Sequence, residues 1–319
     1  MSFAGKNILI TGINGFVGTA AARSFVEEGA HVVGIVKDLN RKTDMWIERN
    51  CSIISGDIRD FDLLRYATSH YEIDYVLHLA SQAIVKICHS DPYTAYETNI
   101  MGVVNVLEAA RIQNIPPQKI IVMTSDKYYG TAPPPYTEDL PPGVADTYCT
   151  SKTCQDMIAR SYALTYEVPA ITVRAGNIYG PGDFNMSRLV PKSIIKLYQG
   201  DSPVLYKHAA KMVREFLYID DVIDAFKILF TGGITGESYN IGGTGPVKIE
   251  EVMDAIREIV NPEIPIVLEE IGFYEINEQY LDATKLKALG WNPKFSLKQG
   301  LEKSFEFYKG AVDTGYVRL

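Results

Sequence analysis

The chain has 319 residues, 46% of them hydrophobic and 22% charged, enough apolar material for one large α/β unit or two joined domains and too much for a disordered chain. Its 31 Lys and Arg against 39 Asp and Glu give a formal net charge of -8, which speaks against a general nucleic-acid binder, since that needs a basic face to release counterions. The four cysteines, Cys51, Cys88, Cys149 and Cys154, form no CxxC pair or disulfide framework, and no apolar run of membrane-spanning length occurs, so a cytoplasmic protein without a metal site or membrane partner is expected.

In chain order, strands are predicted at Asn7–Thr11, His31–Val36, Ser52–Ser55, Tyr75–Leu79, Lys119–Thr124 and Ala170–Ala175. Helices are predicted at Phe16–Glu28, Thr94–Gln113 and Tyr148–Tyr166. Strand alternating with helix is the pattern of a parallel sheet covered on both faces, and the wholly apolar run Ile120-Ile121-Val122-Met123 fits a strand buried on both sides. After Arg174 the rhythm changes. A helix at Leu189–Gln199, a strand at Phe216–Ile219 and a helix at Asp221–Phe230 are followed by a helix around Glu250–Val260, a strand at Ile264–Leu268 and a last helix around Leu297–Tyr308. The expected fold is therefore α/β: a Rossmann-type doubly wound parallel sheet over residues 1–176, with 213–232 returning to it. A smaller mixed α/β substrate domain would use 177–212 and 233–319.

The segment Gly12-Ile13-Asn14-Gly15-Phe16-Val17-Gly18 joins the first strand to the first helix. Glycines at that spacing allow a tight turn, close approach of a pyrophosphate to the backbone, and close helix–sheet packing. This predicts a dinucleotide site using Gly12, Asn14, Gly15, Phe16 and Val17. At the end of the second strand the acid that usually takes the ribose hydroxyls is replaced by Val36, with Lys37 beside it and Arg41 and Lys42 following. Cations there suit a 2′-phosphate and favour NADP over NAD, although Asp38 keeps NAD open. Asp57 and Ile58, after the third strand, are placed to hold the adenine. Further on, Tyr148 and Lys152 are four apart on one helix face. A phenol is a poor base at neutral pH, and a nearby ammonium stabilises its phenolate.

TGINGFVG, GDI, HLASQ, TSDKYYG, YCTSK, RAGNIYGPGD and REFLYIDD, in this order, resemble the extended short-chain dehydrogenase/reductases, the NAD-dependent epimerase/dehydratase enzymes that act on nucleotide sugars. The resemblance implies a Tyr148/Lys152 catalytic pair with Ser125 as hydroxyl partner. It implies a cofactor lined also by Leu79, Ala80, Ser81, Tyr148 and Lys152, and a homodimer formed through packed helices. The substrate would be a UDP-, CDP- or GDP-hexose, with Gln82 and Cys88 facing the sugar and Asn177, Arg188 and Arg214 holding the diphosphate. Asp126-Lys127, directly after Ser125, looks like the acid and base of sugar 4,6-dehydratases, nearest to the CDP-glucose and UDP-GlcNAc enzymes. In that chemistry Lys127 would remove the C5 proton from a 4-keto sugar, and Asp126, kept protonated, would supply the proton that lets the 6-hydroxyl leave. A 4-epimerase, or an enzyme of a partial reaction such as 5-epimerisation or 5,6-reduction, would need Tyr148 and Lys152 but not both of the other two. A cofactor-sensing binding protein would need none of them.

Overall fold

The computed structural model describes residues 2–38, 45–143, 146–270 and 276–316. Thirteen strands follow in chain order: β1 Asn7–Thr11, β2 His31–Val36, β3 Ser52–Ser55, β4 Tyr75–His78, β5 Lys119–Met123, β6 Ala170–Ala175, β7 Asn177–Tyr179, β8 Val204–Tyr206, β9 Val213–Tyr218, β10 Ser238–Ile241, β11 Pro246–Lys248, β12 Val267–Glu269 and β13 Glu278–Gln279. Seven of them form one parallel sheet in the order β10-β6-β5-β4-β1-β2-β3.

Alternation along β1 shows why both faces must be covered. Ile8 and Ile10 point to one side and pack with Ala21, Ala22 and Phe25 of the Phe16–Glu27 helix and Phe226 of the Ile219–Gly232 helix. Leu9 points to the other side, against Val106 and Leu107 of the Gly102–Arg111 helix and the layer completed by Leu64 and Ala159. Each such side chain taken from water contributes roughly 1.5–3 kcal/mol. β1 lies between β2 and β4, so the order in which successive strands are added reverses there and a crevice opens at the carboxyl ends of the strands.

A second, smaller sheet is built on β9, which pairs with β7, β11 and β13, while β8 and β12 form a two-stranded ribbon. Two details differ from the division expected from sequence. β10, within the 233–319 stretch assigned to the substrate side, is an edge strand of the large sheet, and β9, expected to return to the large sheet, is the centre of the small one. Of residues 213–232, only the helix after β9 returns to the large sheet. Hydrogen-bond partners decide this, and a four-residue strand does not announce its neighbour in sequence. The continuous helix expected over Thr94–Gln113 is instead a short helix Pro92–Tyr96, a π-helical turn Glu97–Met101 and the helix Gly102–Arg111. The chain also forms the helices Met45–Asn50, between β2 and β3, and Phe61–His70, between β3 and β4. Among the described residues no helix is long and apolar enough to cross a membrane, and no cluster of His, Cys, Asp and Glu could hold a metal ion.

Candidate active site

A cavity of about 870 Å³ runs from the glycine turn after β1, past the ends of β4, β5 and β6, to β8 and the small sheet. At its near end the chain turns at Gly12 in the left-handed region (φ +74°), where a Cβ would stand 3.0 Å from the Ala80 backbone. A Cβ on Gly18 would lie 2.2 Å from the Gly12 carbonyl, so only glycine lets the helix seat on the turn. The helix opens at Gly15 without a side-chain cap or an acid in its first turn. Its first N–H groups and positive dipole end are left for an anion. Asn14, Gly15, Phe16 and Val17 all line this end, as do Leu79, Ala80 and Ser81 across from them. The cradle fits a dinucleotide pyrophosphate.

Farther along, Asp57 and Ile58 line the cavity beside Lys37. Val36, at the position where an acid usually takes the ribose hydroxyls, is wholly buried core. The Lys37 ammonium lies 3.0 Å from the Asp57 carboxylate, which also accepts from Arg59 Nη2 at 2.8 Å and from the Arg59 backbone N–H at 2.9 Å. Burial alone would raise the Asp57 acid, but these bonds outweigh it and hold it well below the usual carboxylate range. Arg41 and Lys42 lie outside the described residues.

The catalytic candidates converge at the middle of the cavity. Asp146 caps the Thr147–Tyr166 helix by accepting from the Cys149 N–H at 2.8 Å, which sets Tyr148 and Lys152 on its first turns. Lys152 is nearly fully buried, with its Nζ donating to Ser81 Oγ at 3.0 Å and Met123 O at 3.3 Å. Loss of water lowers its ammonium to about 8. Burial pushes the Tyr148 phenol up, Ser125 acts against this through a hydrogen bond, and the Asp126 charge adds to it. Ser125 caps a 3₁₀ turn over Asp126–Tyr129 and donates its hydroxyl to Asp126 Oδ1 at 2.9 Å. Burial raises the Asp126 acid against the opposing charges of Lys127 and Arg214, so this carboxyl keeps its proton more readily than an exposed one. His78 shares a 2.8 Å hydrogen bond with Thr11, and burial together with the Lys152 charge lowers it to about 3. It is a neutral core group.

On the far side Asn177, Arg188 and Arg214 all line the wall. The Asn177 amide donates to Glu215 O at 3.1 Å, and Arg188 pairs with Asp183 at 3.0 Å at the uncapped start of the Leu189–Gln199 helix. The Arg214 guanidinium is held by the Asn277 and Ile276 carbonyls at 3.1 and 2.7 Å. Gln82 and Cys88 depart from expectation. Neither is on the cavity wall, because the Cys88 thiol is fully buried and donates to Gln82 O at 3.5 Å.

Two groups went unnoticed in the sequence. Asn99, buried in the π-helical turn, accepts from Gln82 N at 2.7 Å and donates to Gln82 O at 3.1 Å and Ser151 Oγ at 2.9 Å. It joins the segment after β4 to the Tyr148 helix. A π turn has no period to read, although such turns favour functional sites. Arg174 of β6 is wholly buried and makes a two-pronged pair with Asp156 at 2.9 and 2.7 Å. Its guanidinium lies 3.5 Å over the Tyr128 ring and donates to the Tyr129 hydroxyl at 2.9 Å. The turn that carries Asp126 and Lys127 is thus anchored from behind.

Residues 8–242 match the model of the NAD dependent epimerase/dehydratase family. The chain belongs to that family. Members of known name include the CDP-glucose 4,6-dehydratase of Salmonella typhimurium, 28% identical over 97% of this chain and 92% of that protein. A plant relative, the trifunctional UDP-glucose 4,6-dehydratase/UDP-4-keto-6-deoxy-D-glucose 3,5-epimerase/UDP-4-keto-L-rhamnose-reductase RHM3 of Arabidopsis thaliana, is 29% identical over 95% of this chain. The chain spans about half of that protein, 47% of its length. Among solved structures, UDP-glucose 4-epimerase of Thermotoga maritima superimposes with a TM-score of 0.89 at 26% identity, covering 96% of this chain and 99% of that one. The dTDP-glucose 4,6-dehydratase of Bacillus anthracis, solved with NAD, gives 0.84 at 26% identity, covering 97% and 98%. The seven-stranded parallel sheet is the Rossmann-type core of these family members.

Proposed function

We propose that the protein is a nucleotide-sugar 4,6-dehydratase. The observation that carries this reading is that Asp126 and Lys127 line the same cavity as Ser125, Tyr148 and Lys152. When bound, the dinucleotide accepts hydride from C4 of the sugar and returns it to C6. Tyr148 takes the proton of the 4-hydroxyl as a phenolate, a form that burial disfavours and that the Ser125 hydrogen bond and the positive charge of the bound nicotinamide would favour, with Ser125 aligning the same oxygen and Lys152 supplying positive charge nearby. The resulting 4-ketone acidifies C5–H, and the Lys127 amine removes that proton. Asp126 gives its proton to the 6-oxygen, which leaves as water. Lys127, now an ammonium, can return its proton to C5 as C6 is reduced, and the proton taken by Tyr148 passes to Asp126 through Ser125, so that water is the net loss and a 4-keto-6-deoxy sugar the product. The Leu189–Gln199 helix start, with Arg188, Arg214 and Asn177, would hold the diphosphate of a UDP-, CDP- or GDP-hexose.

We further propose NADP in preference to NAD, on the strength of Lys37 at the adenosine end and buried Val36 in place of an acid. Fluorescence titration with both dinucleotides tests this, and tighter binding of NAD would overturn it. A homodimer is also proposed, supported by Met157 and Leu164, which stand 54% and 75% exposed seven residues apart on one helix. Light scattering of the purified protein checks it.

The decisive experiment incubates the protein with a panel of nucleotide sugars in deuterated water and reads products by NMR and mass. Expected is a 4-keto-6-deoxy product with deuterium at C5. A C4 epimer without loss of water would instead establish the 4-epimerase alternative. Lys127→Met should retain C4 oxidation and lose elimination.

A further inference from the structure

Lys127 reaches the cavity from a turn of the large sheet, but the group that holds its amine comes from the small one. Its Nζ donates to Gln279 Oε1 at 2.9 Å, across 152 positions of sequence. Gln279 ends β13, in register with Arg214 of β9. The backbone around it is pinned on two sides. Tyr136 N–H donates to Tyr280 O at 3.0 Å, and Leu281 N–H donates to the Glu215 carboxylate at 3.1 Å. The Gln279 side chain is only 2% exposed, and its Nε2 has no hydrogen-bond partner among the described residues.

We infer that Gln279 is a positioning residue for Lys127, whose amide holds the amine in place at the sugar and serves it in both of its protonation states. An ammonium can only donate, while a neutral amine also offers a lone pair. Oε1 accepts from the ammonium in the arrangement described. Oε1 accepts equally from an N–H of the neutral amine, which leaves the amine's one lone pair free for the C5 proton. A glutamate at this place could only accept, and it would keep Lys127 an ammonium. A leucine could do neither. The inference rests on the dehydratase reading, in which Lys127 carries the C5 proton.

The test compares full-length wild type, Gln279→Leu and Gln279→Glu under single-turnover conditions in deuterated water, with the nucleotide sugar that the wild type converts. Reduced-cofactor absorbance reports C4 oxidation, while C5 deuteration and water loss report the later steps. In both variants C4 oxidation should stay near the wild-type rate. C5 deuteration should fall on the order of 10²-fold, the usual consequence of misplacing a reacting group by about 1 Å, and at least as far in the glutamate variant as in the leucine one. Oxidation and deuteration falling together would reduce Gln279 to a structural residue, and unchanged deuteration would remove it from the reaction. If the glutamate variant does not fold, the leucine variant decides. Wild type that yields only a C4 epimer would overturn the dehydratase reading and this inference with it. A dehydrating wild type whose variants deuterate normally would overturn this inference alone.

Discussion

Glu215 sits behind the site, 4% exposed, with its carboxylate accepting from the Leu281 N–H at 3.1 Å. Burial raises its acid to about 7, against the hydrogen bonds from the Leu281 and Gly243 backbones that favour the charged form. The folded state therefore prefers the protonated group. Its contribution to stability is full below the unfolded value near 4.5 and shrinks as pH rises, with the loss complete once pH passes about 7. A gap of about 2.5 pH units at roughly 1.4 kcal/mol each is ~3 kcal/mol in all, of which about 2 kcal/mol should be lost between about pH 5.5 and pH 8. Glu215→Gln has no proton to lose and should remove that slope. Its absolute stability also reflects the change in hydrogen bonding to Leu281 and Gly243, so the informative quantity is the difference in pH dependence. Urea unfolding of wild type and variant at the two pH values gives it directly. If the two proteins lose stability in parallel over this range, Glu215 is not the buried acid described.

Other substitutions probe the cavity and its supports. Tyr148→Phe should leave dinucleotide binding intact and lower C4 oxidation by about 10²–10⁴-fold, the range for a lost general base, measured as reduced cofactor formed in single turnover. Asp156→Ala strands the buried Arg174 guanidinium and should destabilise the fold by about 3–5 kcal/mol. Chemical denaturation checks this, and a loss under about 1 kcal/mol would show that the pair is not isolated from water. Gly18→Ala puts a Cβ 2.2 Å from the Gly12 carbonyl. It should weaken dinucleotide binding, read by fluorescence titration, because the helix start must move away from the turn.

What could be read from the sequence was the chemistry carried by local spacing. The glycines of the first turn, the four-residue interval from Tyr148 to Lys152 and the alternation of apolar strands with amphipathic helices all act within one or two turns of chain. Backbone geometry makes such patterns nearly independent of what lies elsewhere. The adjacency of Ser125, Asp126 and Lys127 was legible for the same reason. Folding alone determined that β10 returns to the large sheet while β9 does not, since pairing depends on which strand edges are free when the layers close. It also decided that Cys88 is buried against Gln82 and off the cavity wall, that Asn99 ties Gln82 to Ser151, and that Arg174 and Asp156 clamp the turn beneath Lys127. The meeting of Lys127 with Gln279, and the raised acid of Glu215, belong to this second class. Spacing along the chain names the reactive groups, but their partners and their share of water are set by distant segments that only packing brings together.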